Sequence, residues 1–283
     1  MTLTVFLSIL LAAFLHALWN ALVKGSGNKF STMAAVVLGH VPIAVALLPF
    51  VPLPAPESLP YLLAGALLHM GYQLFLLFSY RVGDLTQVYP VARGSAPLIV
   101  ATVSILFLGI TLGTVQLIAI LIIAAGILSL CLVRQADGTQ NSKAALLALV
   151  TGCFIAAYSL VDGIGARLAG TALGFFCWLA IFNGFGFALL ACAHRSCSLK
   201  SILKDNFRVF ALGGSASFCA YALVVWSFTQ APIALVTALR ETSIVFALLI
   251  GVFVLREKLN LTKVLSTMIT LFGAALLRFS RNP

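Results

Sequence analysis

The sequence predicts an all-α integral membrane protein with ten transmembrane helices in two inverted five-helix repeats. Three observations carry this. Hydrophobic residues make up 62% of the 283-residue chain and charged residues 8%, against roughly 45–50% and about 25% in a soluble domain. So few charges cannot cover the surface of a water-soluble protein. The apolar residues also fall into ten runs, each near the ~20 helical residues that cross a bilayer core. The last five runs repeat polar landmarks of the first five. A soluble enzyme, a secreted disulfide scaffold and a disordered chain are excluded. Strands of a lipid barrel would alternate apolar and polar residues, so the spans are helices.

The first span, 3–22, has no basic residue before it and is long enough to cross, so it is expected to stay as a helix. Gly25-Ser26-Gly27-Asn28 separates it from the second, 31–50. Five prolines between Pro49 and Pro60 lead to the third, 59–80. The fourth, 86–108, carries Pro90, Gly94 and Pro97 around Arg93. Proline removes a backbone donor, so a kink beside that charge is expected. The fifth is 114–133, and the polar residues 134–143 form the seam between halves. The expected units are 1–136 and 144–283. The second holds spans 144–165, 171–193, 207–228, 231–253 and 261–279.

The repeat shows as a fixed offset. Phe78-Ser79-Tyr80 matches Trp226-Ser227-Phe228 at 148 residues, and the same offset pairs Val88 with Val236, Ser95 with Ser243 and Thr114 with Thr262. It also pairs Arg93 with Glu241. Nearer the amino ends, Ala17-Leu18-Trp19-Asn20 resembles Ala156-Ala157-Tyr158-Ser159 at an offset of 139. The difference places about nine extra residues in the second half, in the 194–206 connection. Five helices is an odd number, so the second half runs upside down relative to the first. Inverted repeats build secondary transporters, with the substrate site at the midplane between halves.

Ionisable side chains inside spans are costly and face the bundle interior or a wet cavity. Arg93, Arg240 and Glu241 are the strongest cases. Arg240 and Glu241 stand about ten residues into their span, near the bilayer centre. An Arg93–Glu241 ion pair is the purely structural reading. Two cations and one anion still leave a guanidinium over, and arginine offers a fork to carboxylate or phosphate. His16, Trp19 and Asn20 share one face of the first helix, and His69, Tyr72 and Gln73 one face of the third. Ser217 and Tyr221 align with His69 and Gln73 at the offset of 148. With Tyr89, these twelve residues form the expected substrate site, against the plain alternative of hydrogen bonds between helices. Either histidine, or Glu241, is a candidate proton carrier. Tyr158 and Asp162 share a face of the sixth helix, but Asp162 stands near its end, where a solvated role is expected. Trp178 and Asn183 do not share a face.

Five cysteines lie in apolar runs, Cys197 alone in a hydrophilic connection, and no CxxC pair occurs, so packing is their expected role. No GxSxG, HExxH or nucleotide-binding loop is present. No enzyme activity, metal or cofactor is expected, and transport would run on gradients. The net charge of +10 is scattered between apolar runs and reads as a topology signal rather than a nucleic-acid surface. Twelve of the 17 basic residues follow odd-numbered spans: Lys24, Lys29, Arg81, Arg134, Lys143, Arg195, Lys200, Lys204, Arg208, Arg256, Lys258 and Lys263. Only Arg167, Arg278 and Arg281 lie on the other side. The odd loops are therefore expected in the cytoplasm, with both termini outside.

Leu15-His16-Ala17-Leu18-Trp19-Asn20-Ala21-Leu22-Val23-Lys24, Val88-Tyr89-Pro90-Val91-Ala92-Arg93-Gly94-Ser95-Ala96-Pro97 and Ala238-Leu239-Arg240-Glu241-Thr242-Ser243 resemble the drug/metabolite transporter superfamily, in its EamA-type ten-helix branch. The resemblance covers nearly the whole chain. It implies transport of a small solute in the bacterial inner (cell) membrane, with the lipid bilayer and the solute as partners. It also implies an acidic residue near the end of the fourth and ninth helices. Glu257 supplies the second, whereas Gly109 stands at the first. Well-known relatives keep both termini in the cytosol, opposite to the charge count. The function expected is secondary transport of a small organic anion or zwitterion by alternating access, with proton coupling as one drive. The alternatives are a lipid or glycolipid flippase and an intramembrane lipid-modifying enzyme. One chain already holds both halves, so a single chain suffices, with a homodimer left open.

Overall fold

The computed structural model describes residues 1–24, 28–82, 85–129, 142–193, 199–253 and 261–279. In the first half lie α1 (Leu3–Lys24), α2 (Lys29–Leu47), α3 (Leu59–Val82), α4 (Leu85–Leu106) and α5 (Thr114–Leu128). In the second lie α6 (Ser142–Leu168), α7 (Ala172–Ala193), the short α8 (Leu199–Asp205), α9 (Gly214–Gln230), α10 (Ile233–Arg240), α11 (Ser243–Phe253) and α12 (Leu261–Phe279). No strand occurs among the described residues. Among the described residues, seven helical stretches are long and apolar enough to cross a membrane: Leu3–Leu22, Lys29–Phe50, Pro56–Ser79, Ser142–Leu168, Ala172–Cys192, Val209–Gln230 and Ile233–Phe253. Shorter apolar helices, Val91–Leu106, Thr114–Leu128 and Val264–Phe279, fall where the fourth, fifth and tenth spans are expected. Leucine and phenylalanine side chains such as Leu7, Leu67, Leu121, Phe185 and Phe272 face outward, as a lipid solvent permits.

The helices of one half pack mainly against helices of the other. α3 lies on α6 and α1 on α9, which are the same contact with the halves exchanged. The pairing of α4 with α6 likewise mirrors that of α1 with α10 and α11. α2 meets α7 and α5 meets α12, each a helix against its own counterpart. The two-fold relation seen in the sequence is thus also a packing relation. Backbones come close where α2 crosses α9. A side chain at Gly39 would run into the Phe210 carbonyl and the Gly214 Cα. A π-helical turn, Val209–Gly213, leads into α9 at this crossing.

Two charged or turning positions have local explanations. Arg167, in the last turn of α6, donates through Nε to the Phe228 carbonyl at 2.8 Å and through Nη2 to the Ala231 carbonyl at 2.9 Å. It thereby caps the carboxyl end of α9, where the last carbonyls lack helical partners and the dipole favours a cation. Gly109 has φ +64°, a left-handed conformation that side chains other than glycine's resist. That turn accounts for a glycine where the resemblance led one to expect an acid. Its second-half counterpart, Glu257, lies outside the described residues, as do Cys131, Cys197 and the loop bases Arg134, Arg195, Arg256 and Lys258.

The kink expected in the fourth helix is not a break, for α4 is continuous through Pro90 and Pro97. The interruption falls in the ninth span, between α10 and α11, at Glu241 and Thr242. There the amides of Glu241, Thr242, Ile244 and Val245 each bond the carbonyl three residues back instead of four. The Thr242 hydroxyl also donates to the Leu239 carbonyl at 2.7 Å, a side chain competing for a helical acceptor.

Candidate functional site

The broken span places three charges at the centre of the bundle. Arg240 ends α10 and Glu241 follows it ahead of α11, a cation at a helix carboxyl end and an anion at an amino end. Both placements suit the helix dipoles. Arg93 reaches across from α4, its Nε 2.7 Å from Glu241 Oε2, and its Nη2 donates to Ser243 Oγ at 3.3 Å. Arg240 Nε lies 3.8 Å from Glu241 Oε1. Glu241 is therefore shared, but Arg93 holds it closely and Arg240 only loosely. Arg240 Nε and Nη2, though buried, meet no hydrogen-bond acceptor among the described residues.

Arg240 borders a cavity of about 80 Å³, room for several waters at the roughly 10–15 Å³ each requires. Its wall takes His16 and Trp19 from α1, His40 from α2, and His69, Tyr72 and Gln73 from α3. The second half adds Tyr158 from α6, Asn183 from α7, and Ser217 and Tyr221 from α9. Both halves thus build one space, at the place where inverted-repeat carriers hold their solute. Other buried polar atoms in this wall also lack partners among the described residues: His40 Nε2, Gln73 Oε1 and Asn183 Oδ1. An orphaned buried polar group costs about 1–3 kcal/mol, so four residues of one wall are incomplete as they stand.

Aromatic rings set the shape. Tyr158 stacks on His69 with centroids 4.1 Å apart, and the Arg240 guanidinium lies 5.8 Å from the Tyr158 ring centre. Trp19 Nε1 donates to His16 Nδ1 at 3.3 Å. That bond makes Nδ1 an acceptor and fixes the His16 tautomer. Tyr221 meets His69 and Tyr158 edge-on.

Of the twelve residues expected from the sequence, His16, Trp19, His69, Tyr72, Gln73, Ser217, Tyr221 and Arg240 share this wall. Arg93 and Glu241 lie behind it as the buried pair. Asn20 does not border it; its side-chain amide donates to the His16 carbonyl one turn back at 2.7 Å. The Tyr89 side chain lies outside the described residues. Sequence reasoning missed His40, a lone polar residue on an apolar helix, and gave little weight to Asn183.

Asp162 requires a correction. It was expected near a solvated end, but α6 runs on to Leu168, which puts it nearly two turns inside. It is fully buried. His69 Nε2 lies 2.8 Å from its Oδ2, and Tyr221 Oη donates to the same oxygen at 2.5 Å. The charge sum changes with it. The buried charged residues among those described are Arg93, Arg240, Glu241 and Asp162, so with neutral histidines the interior is balanced. No group of three or more metal-ligating residues occurs among the described residues.

Comparison with known proteins agrees with this architecture. A solved crystal structure of a protein 17% identical in sequence superposes with a TM-score of 0.74, covering 98% of this chain and 96% of that one. At that identity the likeness shows the fold. No curated protein matches the sequence. The sequence model of the EamA-like transporter family matches twice, over residues 3–132 and again over 142–279. Two matches in tandem are what an inverted repeat of one five-helix unit requires. The chain is an integral multi-pass membrane protein that belongs to the EamA-like transporter family.

Proposed function

We propose that this protein is a secondary transporter that moves a small organic anion or zwitterion by alternating access, with Arg240 as the anchor of the anionic group. The observation that carries the reading is the unfilled guanidinium. Arg240 sits at a break in a spanning helix, buried, on a cavity to which both halves contribute, with two nitrogens lacking acceptors. A carboxylate or phosphate-like oxygen pair is the natural complement of that fork. Gln73, Asn183 and His40 offer donors or acceptors for the rest of a polar solute, and the tyrosines supply an apolar wall. Exchange of the near-equivalent α1–α9 and α3–α6 contacts would turn the cavity from one face to the other. No nucleotide-binding motif is present, so an ion gradient would drive accumulation.

Proteoliposomes containing the purified protein and challenged with labelled carboxylates, phosphonates and amino acids test the reading. Saturable uptake of one class, lost in Arg240→Gln with expression retained, is the expected result. Lipid translocation without solute uptake would favour a flippase, and product formation without net transport an enzyme.

A further inference from the structure

We propose that His69, Asp162 and Tyr221 form a proton-binding site, separate from the Arg240 anchor, whose proton offsets the charge of the transported anion. The coupling half of this rests on the transport reading above; the proton site does not. Asp162 is a carboxylate with no exposure, deep in a spanning helix. Among the described residues no lysine or arginine pairs with it; its partners are the imidazole and the phenol. Space for it is built in: a Cβ at Gly65, one turn before His69 on α3, would collide with Asp162 Oδ1. A carboxylate held only by neutral donors inside a membrane leaves a full negative charge that a proton can remove.

The proton's place follows from the geometry. With His69 neutral, Nε2–H donates to Asp162 Oδ2, and Nδ1 carries a free lone pair. A proton delivered from bulk solution through the cavity adds at Nδ1, giving an imidazolium beside the carboxylate, and the cluster goes from −1 to 0. The other described histidines, His16 and His40, lack such a partner. His16 Nδ1 is occupied by Trp19, and His40 packs edge-on against Phe176 and Phe218. Facing the cluster are Tyr158 on α6, Tyr72 on α3, His40 on α2 and Arg240 on α10. Farther off on elements packed against α6 are the Arg93–Glu241 pair, Cys177 on α7, Arg167 at the helix end and an exposed Glu57.

Charge balance supplies the coupling. Before loading, Arg93, Arg240, Glu241 and Asp162 sum to zero. A monoanion on Arg240 makes the interior −1, and one proton on His69 restores zero. Each carries the other's cost of entering a low-dielectric interior, so anion and proton cross together without net charge. The three residues also bridge α3 of one half to α6 and α9 of the other, so the proton sits on the interface that must move.

The ligand-free test is a proton titration of the lipid-reconstituted protein by infrared difference spectroscopy. Wild type should take up one proton at this cluster as the pH is lowered. That transition should vanish in both His69→Gln and Asp162→Asn, and shift without vanishing in Tyr221→Phe. A transition unchanged in His69→Gln and Asp162→Asn overturns the proton site. The coupling test uses whichever labelled solute of the panel is transported. With one proton per anion, a one-unit acid-outside gradient should concentrate it up to about tenfold, with no response to membrane potential. Asp162→Asn should lose accumulation and keep counterflow exchange. Accumulation intact in Asp162→Asn overturns the coupling. If no panel solute moves while the titration behaves as expected, the anion-transport reading and the coupling fall together and the proton site stands.

Discussion

Arg93 and Glu241 stand 148 residues apart, at equivalent positions of the two halves, and meet at 2.7 Å in the centre of the bundle. The pair is not symmetric in its consequences, because Arg240 lies 3.8 Å from the same carboxylate. Removing Arg93 leaves Glu241 a second cation. Removing Glu241 strands two. Breaking a buried pair costs about 3–5 kcal/mol when one partner stays behind. Glu241→Gln should therefore lower thermal stability in detergent more than Arg93→Gln does. The Arg93→Gln, Glu241→Gln double variant should recover part of the loss. Additive losses in that double variant would mean the two do not act as a pair.

Arg240→Lys keeps a charge and removes the planar fork. Folding should survive, since the fork has no hydrogen-bond acceptor among the described residues. Affinity for an anionic solute should fall by about tenfold or more, the loss of one charge-assisted bond of roughly 1.5–3 kcal/mol. Uptake kinetics of the reconstituted variant provide the check, and unchanged kinetics at normal expression would return Arg240 to a structural role.

At the crossing of α2 with α9, Gly39 faces a backbone carbonyl and Gly214 rather than a movable side chain. Gly39→Ala should force the helices apart and cost about 1–3 kcal/mol, the range for overpacking. Gly109→Ala, by contrast, meets no neighbour within 4 Å and should show only backbone strain of roughly 1–2 kcal/mol. Melting of the two purified variants distinguishes a packing cost from a local one.

Orientation is open to a direct measurement. The excess of basic residues after odd-numbered spans predicts that those connections face the cytoplasm. In a variant retaining only Cys197, a membrane-impermeant maleimide should label permeabilised cells and leave intact cells unlabelled. Strong labelling of intact cells would place both termini inside.

The bilayer made much of this legible. Its thickness imposes a length on every helix, so nine of the ten expected starts fall within two residues of the observed helices, and the eighth span, expected from 207, begins its α-helix at Gly214 after the π-helical turn Val209–Gly213. The offset of 148 singles out His69, Gln73, Ser217 and Tyr221 in the sequence alone, because repeats put equivalent residues on equivalent faces. Asp162 was not legible in the same way. Its depth depends on where α6 ends, and three more residues of helix turn a rim position into a core one. His40 and Asn183 had no polar neighbour at helical spacing to mark their faces. The break at Glu241 was hidden too, since the prolines pointed to the fourth helix. A hydroxyl and a run of shortened backbone bonds interrupt the ninth, and neither has a conspicuous sequence mark.

The interlocking of the halves bears on how the protein is made. Arg93 enters the membrane while Glu241, 148 residues downstream, has yet to be synthesised. At about 5–20 residues per second the wait is roughly 7–30 s, during which an arginine at a helix centre costs about 2.5–3.5 kcal/mol. α1, α3 and α4 likewise lack their main packing surfaces until α6, α9 and α10 arrive. The first half must therefore idle in the bilayer as loosely associated helices, shielded by water drawn in around Arg93 or by the insertion machinery. A ribosome stalled beyond the seam would leave that arginine unpaired, a mark by which membrane quality control can tell a half-made chain from a finished one.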